Sequence, residues 1–341
     1  MSLDWYQKRV LITGAAGFIG SELTRQLSAL GASVVAVDNL VNGKAENVAG
    51  LAGVRLEVLD IRDRELMTKL MRRIHVVFHL ACLGVRHSIH SPEENHQVNA
   101  GATLRLLAIA RDAGVNRFIY VSSSEVYGTA LWVPMTEEHP AFPMTVYGAA
   151  KLAGECYTRA YYRTYGFPTV VVRPFNSYGP NCHHEGDSGE VIPKFMLRSL
   201  TGRPLVVFGD GTQTRDFTYV SDTARGILAA GDSSTAVGET INIGSGSETS
   251  INDLAAQVAH FAQSANLTIL HEEPRPGDVL RLYAQTDKAR KLLGFAPEVS
   301  LKEGLLKLKS WYLNRTESLE TLMQQDIIHN WNLSERVQSV S

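Results

Sequence analysis

Residues 13–20 read Thr-Gly-Ala-Ala-Gly-Phe-Ile-Gly, and this run constrains the fold more than any other part of the chain. It follows a short apolar run, Val10-Leu11-Ile12-Thr13, and leads into a stretch with Ile19, Leu23, Leu27 and Leu30 on one helical face. A strand, a tight turn and a helix are therefore predicted in succession. Glycines at 14, 17 and 20 let the chain turn sharply and keep Cβ atoms away from the helix N-terminus. Backbone N–H groups and the helix dipole at such a terminus suit a diphosphate. The spacing is GxxGxxG rather than GxGxxG, so the glycines carry weight only in this strand–turn–helix setting.

Further apolar runs at 33–37, 54–58, 75–80, 117–121 and 168–173 alternate with helical stretches, notably 92–113 and 147–165. Apolar strands separated by helices predict βαβ units and a parallel sheet covered on both faces. The expected fold class is α/β, a Rossmann-type doubly wound parallel sheet. Asp38 ends the second run, where an acid accepts hydrogen bonds from an adenosine ribose and repels a 2′-phosphate. The expected cofactor is NAD rather than NADP. Asp60-Ile61 and His79-Leu80-Ala81 close the third and fourth runs, as candidates to hold the adenine and to lie under the cofactor. From Asn176 onward Gly, Pro and His accumulate and the alternation weakens. Pieces at 221–230 and 240–243 return to helix and strand, so the two halves are expected to interleave.

Tyr147 and Lys151 form a Y-x-x-x-K pair, which places phenol and ammonium on one helical face. A nearby cation favours phenolate and lowers the phenol pKa. A phenolate takes a proton from a sugar hydroxyl as hydride leaves the carbon. Ser122-Ser123-Ser124, at the end of the fifth run, supplies a hydroxyl partner.

Taken together, these pieces resemble the extended short-chain dehydrogenase/reductase family, and within it the NAD-dependent nucleotide-sugar epimerases and dehydratases. The resemblance also rests on HLA (79–81), SSSEVYG (122–128), YGAAKLAGE (147–155), RPFNSYGP (173–180), VIPKF (191–195), FGDGTQTRDFTYVSD (208–222), NIGSG (242–246) and RPGD (275–278). It implies a cofactor domain over 1–175, rejoined by 221–246, and a smaller nucleotide-sugar domain over 176–220 and 247–315. Residues 316–341 are read as a polar surface helix and tail. It implies that Gly14, Gly17, Phe18, Ile19, Gly20, Asp38, Asn39, Asp60, Ile61, Leu80 and Ala81 hold NAD together with Tyr147 and Lys151. Tyr147 is the implied general base, Lys151 its electrostatic partner and Ser123 the hydroxyl beside the sugar oxygen. Ser124, Asn176, Val191, Arg215, Arg275 and Asp278 are the implied substrate contacts, the two arginines meeting a diphosphate.

The reaction turns on Ser124-Glu125. Glucose-type 4,6-dehydratases carry Asp-Glu at this place, and Ser124 stands for that Asp. Glu125 as a catalytic acid or base keeps a 4,6-dehydratase or a UDP-glucuronate decarboxylase open. Enzymes of acid sugars in this family place an Arg after Tyr-Gly-Pro, where this chain has Asn181. Arg86 or the histidines His183 and His184 are the candidate substitutes. The favoured expectation is a UDP-hexose 4-epimerase working through a transient 4-keto sugar. Leu282, four after Asp278, hints at room for a 2-acetamido group. A homodimer pairing the helices at 92–113 and 147–165 is implied as well.

The 341 residues are 44% hydrophobic and 20% charged, which fits a globular chain able to bury a large core. A net charge of −2 gives no reason to expect nucleic-acid or membrane binding. Three cysteines without zinc spacing read as reduced thiols, and no leader or membrane-length apolar run appears, so a cytoplasmic setting is expected. The cluster His183, His184, Glu185 and Asp187 is read as a substrate-side loop, with no metal expected.

Overall fold

The computed structural model describes residues 5–262, 267–275 and 278–331. The Pro276-Gly277 part of the RPGD motif and residues 332–341 of the expected tail lie outside the described residues.

Seven strands form one parallel sheet: β1 (Arg9–Thr13), β2 (Ser33–Asp38), β3 (Val54–Val58), β4 (Val76–His79), β5 (Arg117–Val121), β6 (Thr169–Pro174) and β7 (Thr240–Ile243). Their order is β7-β6-β5-β4-β1-β2-β3, and every neighbouring pair is parallel. This is the Rossmann-type arrangement expected, with its topological switch between β1 and β4. The central strands are apolar on both faces because helices cover both. Val10, Ile12, Leu23, Phe78 and Ile227 share one core cluster; Leu11, Val35, Val77, Phe118 and Leu106 share the other.

Helices α1 (Phe18–Ala29), α2 (Thr103–Asp112), α3 (Val146–Tyr165) and α4 (Val220–Asp232) pack on the sheet. Thus 220–243 lies with the sheet, and the chain crosses between the halves more than once. The stretch 92–113 is not one regular helix. A π-helical turn at Gln97–Ala102 separates Pro92–His96 from α2. The buried Asn95 and Asn99 on this stretch hydrogen-bond the backbone of Leu83 and Gly84. A π turn turns these amides toward the loop after β4 and fixes it, a common use of such turns near functional sites.

The second core joins the helices Val191–Leu200, Ile251–Ala262 and Leu301–Leu313 to a two-stranded parallel sheet, Leu205–Phe208 with Ile269–Glu272. Residues 316–331 are not a solvated tail. The helix Leu319–Met323 buries Leu322 and Met323 in this core. A surface helix was expected here; its burial was not, because Leu319, Leu322 and Met323 are all that marks an apolar face in five residues.

A buried ion pair ties α3 to β6. Glu155 (0% exposed) accepts from Arg173 Nε at 2.8 Å and Nη2 at 2.6 Å, and from Arg159 at 2.9 Å. Burial alone would raise the Glu155 carboxyl; the hydrogen bond and charge of Arg173 overcome it, leaving the group below its ordinary 4.5. A depressed carboxyl stabilises the fold above its unfolded pKa, and that contribution is lost as pH falls through the folded value. Glu155→Gln leaves Arg173 buried without its counter-charge and is expected to cost about 3–5 kcal/mol in urea unfolding at pH 7. The deficit relative to wild type shrinks as pH falls below the ordinary carboxyl value of 4.5 and on through the lower folded one. A loss under about 1 kcal/mol at pH 7 contradicts this account.

Candidate active site

One cleft of about 690 Å³ runs along the C-terminal ends of the strands at the switch point. Its cofactor half begins at the glycine turn. Gly14 has φ +70°, and a Cβ there would sit 2.7 Å from the Ala81 amide nitrogen. Gly17 caps α1 without a side-chain hydrogen bond, and no acid lies in the first turn. The helix therefore keeps N–H groups available for an anion. Asp38 accepts from the N–H groups of Ala16 and Leu40, each at 2.9 Å, so each oxygen retains acceptor capacity. Gly14, Gly17, Phe18, Ile19, Gly20, Asp38, Asn39, Asp60, Ile61, Leu80 and Ala81 all line the cleft. Arg62, which the sequence reading did not single out, grips both Asp60 oxygens at 2.7–3.1 Å and holds that carboxyl below its usual range.

His79 turns away from the cleft. It is 1% exposed and joins Thr13 Oγ1 (2.7 Å) to Thr103 Oγ1 (2.9 Å). Burial lowers its pKa to about 3, with the Lys151 charge adding to the effect. It is a neutral structural histidine.

Ser123 and Ser124 follow β5 after Ser122, and Thr145 caps α3 by accepting from the Gly148 N–H at 3.1 Å. These ends bring Ser123, Ser124, Glu125, Tyr147 and Lys151 to one wall of the cleft. The electrostatics differ from the expectation that Lys151 lowers the phenol. Lys151 Nζ donates to the Val121 carbonyl at 2.7 Å and stands 6.0 Å from the Tyr147 ring centroid. Burial pushes the Tyr147 phenol well above its ordinary value, and a hydrogen bond with Ser123 opposes that rise. Burial lowers the Lys151 ammonium. Burial also pushes the Glu125 carboxyl up, against the pull of Arg215 and Arg275.

The opposite wall comes from the second core. Arg215 donates to the carbonyls of Thr214 and Val279 and, like Arg275, pairs with Asp278 Oδ1. All three side chains line the cleft. So does Asn176, whose buried Oδ1 has no hydrogen-bond partner among the described residues, an acceptor suited to a ligand donor. Val191 does not line the cleft. It is packed against the second core, and its neighbour Glu190 faces the cleft instead. The VIPKF match marks the helix start correctly, but the helical twist sends Val191 inward. Leu282 is fully buried among Val126, Met135 and Phe175, so it does not set room for a sugar substituent. Asn181 reaches toward Ser21 on α1, while Arg86 pairs with Glu190 at 3.6 Å across the cleft. Sequence spacing gave no signal for Glu190, nor for Trp331, which also lines the cleft. Of the two neighbouring histidines, His183 lines the cleft and meets Glu185 at 3.1 Å, whereas His184 is buried against Tyr312. Among the described residues no cluster of three or more His, Cys, Asp or Glu is placed to hold a metal ion.

A sequence model described as the NAD dependent epimerase/dehydratase family matches residues 10–244. The chain belongs to this family. A putative UDP-glucose 4-epimerase of Methanocaldococcus jannaschii is 35% identical over 91% of this chain and 100% of its own length. The structure of a UDP-glucose 4-epimerase with UDP-glucose from Thermotoga maritima superposes with a TM-score of 0.86, at 34% identity, covering 91% of this chain and 100% of that one. A dTDP-glucose 4,6-dehydratase of Streptomyces venezuelae with NAD bound gives a TM-score of 0.83 at 33% identity, covering 90% and 97%. The protein is thus an NAD-dependent enzyme of the epimerase/dehydratase family, and the glycine turn, open helix terminus and Asp38 fit that cofactor. Among the described residues no helix is long and apolar enough to cross a membrane.

The close approach at Gly14 generates a direct test. Gly14→Ala places a Cβ against the Ala81 backbone in a left-handed conformation. It is expected to reduce NAD retained through purification at least about tenfold, a loss of about 1.4 kcal/mol or more. Nucleotide released on denaturation measures it, with circular dichroism as the control for folding.

Proposed function

We propose that this enzyme inverts C4 of a UDP-hexose through a transient 4-keto sugar. The observation that carries the reading is the single cleft in which Tyr147, Ser123 and Lys151 lie with the glycine turn and with Arg215, Arg275 and Asp278. When bound, NAD supplies the carbon that takes the C4 hydrogen as hydride and returns it. Tyr147 removes the proton from the sugar O4 hydroxyl and later restores it, while Ser123, bonded to the phenol, holds the same oxygen. Lys151 of α3, whose Nζ donates to the Val121 carbonyl, binds the cofactor ribose. Arg215 and Arg275 meet the diphosphate, Asp278 the nucleoside ribose, and Asn176 the sugar or diphosphate. Burial holds the resting phenol protonated, so turnover rises with pH as the phenolate fraction grows.

Two further observations favour a neutral hexose and no elimination. Ser124 stands where the resemblance puts the acid of the glucose-type dehydratases. Arg86 on the cleft wall is already paired with Glu190, so a substrate carboxylate has to displace that carboxylate to reach it. The second reading, a 4,6-dehydratase or a UDP-glucuronate decarboxylase, rests on Glu125, whose raised carboxyl suits an acid. The proposed setting is the cytoplasm, where the unpaired Cys82, Cys156 and Cys182 stay reduced.

Product NMR with UDP-glucose, UDP-N-acetylglucosamine and UDP-glucuronate decides between the readings. C4-inverted product is expected, with Tyr147→Phe retaining NAD while losing about 10²–10⁴-fold in turnover. Glu125→Gln keeps the epimerase active; a 4-keto product or released CO₂ that vanishes in Glu125→Gln establishes the lyase instead. The exposed Leu104 of α2 and Tyr162 and Tyr165 of α3 support a homodimer packed on these helices. Light scattering is expected to give twice the chain mass, and a monomer at micromolar concentration would refute that assembly.

A further inference from the structure

Residues 325–331 cross the second domain and end in the cleft. Asp326, with a side chain 2% exposed, is held between Arg198 (2.6 Å) and Lys194 (3.2 Å) of the helix Val191–Leu200. The Gly186 N–H donates to the Gln325 carbonyl at 3.0 Å. Asn330 Nδ2 donates back to the carbonyls of Gly186 and Gly189 at 3.3 and 3.2 Å. The segment therefore grips the loop that carries Glu190. His329 then meets Glu272 at 2.6 Å, and the Trp331 ring packs edge-on against Phe208, with centroids 4.7 Å apart at 80°. Phe208 and Glu272 are the last residues of the two paired strands. The chain leaving these strands carries Arg215 on one side and Arg275 and Asp278 on the other. Trp331 thus packs on the strand end from which the segment bearing Arg215 leaves, and it lines the same cleft as both arginines. The family match ends at residue 244, well before this segment.

We propose that residues 325–331 form a strap that completes the nucleotide end of the substrate cleft, with Trp331 as an aromatic wall for the base of a nucleoside diphosphate. An indole and two guanidinium groups in one cleft match the two halves of such a ligand, since aromatic rings stack on bases and arginines fork onto phosphates. The inference rests on the nucleotide-sugar reading above and adds a binding residue to it.

The test uses the full chain with NAD bound. Isothermal titration first measures UDP, dTDP and GDP binding to wild type. If none binds, the nucleotide-sugar reading fails, and this inference with it. Where one binds, Trp331→Ala is expected to weaken it about tenfold and to raise KM for the UDP-sugar with kcat unchanged. Trp331→Phe recovers most of the affinity, while NAD content and melting temperature stay at wild-type values in both. Unchanged affinity in Trp331→Ala overturns the inference while leaving the nucleotide-sugar reading intact. Tighter binding overturns it as well, because the indole then obstructs the subsite.

Discussion

The structure depends on how β1 and β4 part at their C-terminal ends. Side by side within the sheet, they pair Thr13 with His79, and beyond that point one chain turns into α1 while the other enters the loop 80–86. A neutral imidazole fixes the parting, bonded to Thr13 on one side and Thr103 on the other. The Ala81 N–H then returns to Thr13 Oγ1 at 3.2 Å, which draws the two backbones so close that only a glycine fits at 14. The crevice for NAD is the space left when two hydrogen-bonded strands are forced apart immediately after a tight contact.

Charge is handled by burial rather than by a basic surface. The near-neutral chain places a few cations on the walls of one cleft: Lys151 on α3, Arg86 against Glu190, and Arg215 with Arg275 around a shared Asp278. Each is held by a carboxylate or a carbonyl, so its position is set before a ligand arrives and little reorganisation remains to be done on binding. The same burial raises the Tyr147 phenol and the Glu125 carboxyl, two groups that face one substrate volume. Groups buried this way are set by desolvation before any neighbouring cation acts on them.

The seven strands of the large sheet were legible because parallel strands buried on both faces leave near-continuous apolar runs, and only their ends shifted, as in 75–80 against Val76–His79. The residues around the glycine turn, the Ser123 turn and the start of α3 were legible for a related reason. They sit at strand ends or first helical turns, where local geometry dictates which side chains face the crevice. Legibility failed where the neighbour in space was far away in sequence. Val191 and Leu282 are apolar residues beside cleft residues, and only the packing of the second core shows that both turn inward. The π turn at Gln97–Ala102 has no signature in the hydrophobic pattern, because its cause is the hydrogen bonding of Asn95 and Asn99 to a loop more than ten residues away.

The sequence by itself determined the α/β class, the strand–turn–helix unit that starts the sheet and the cofactor, and it named the groups proposed for proton transfer, because these follow from local periodicity and short motifs. Tertiary structure alone decided the electrostatic state of that set. Lys151 is turned to the Val121 carbonyl, Arg86 is spent on Glu190, and the polar segment 325–331 is folded back to bring Trp331 into the cleft. Each outcome depends on burial and on partners distant in the chain, which no spacing along it can specify.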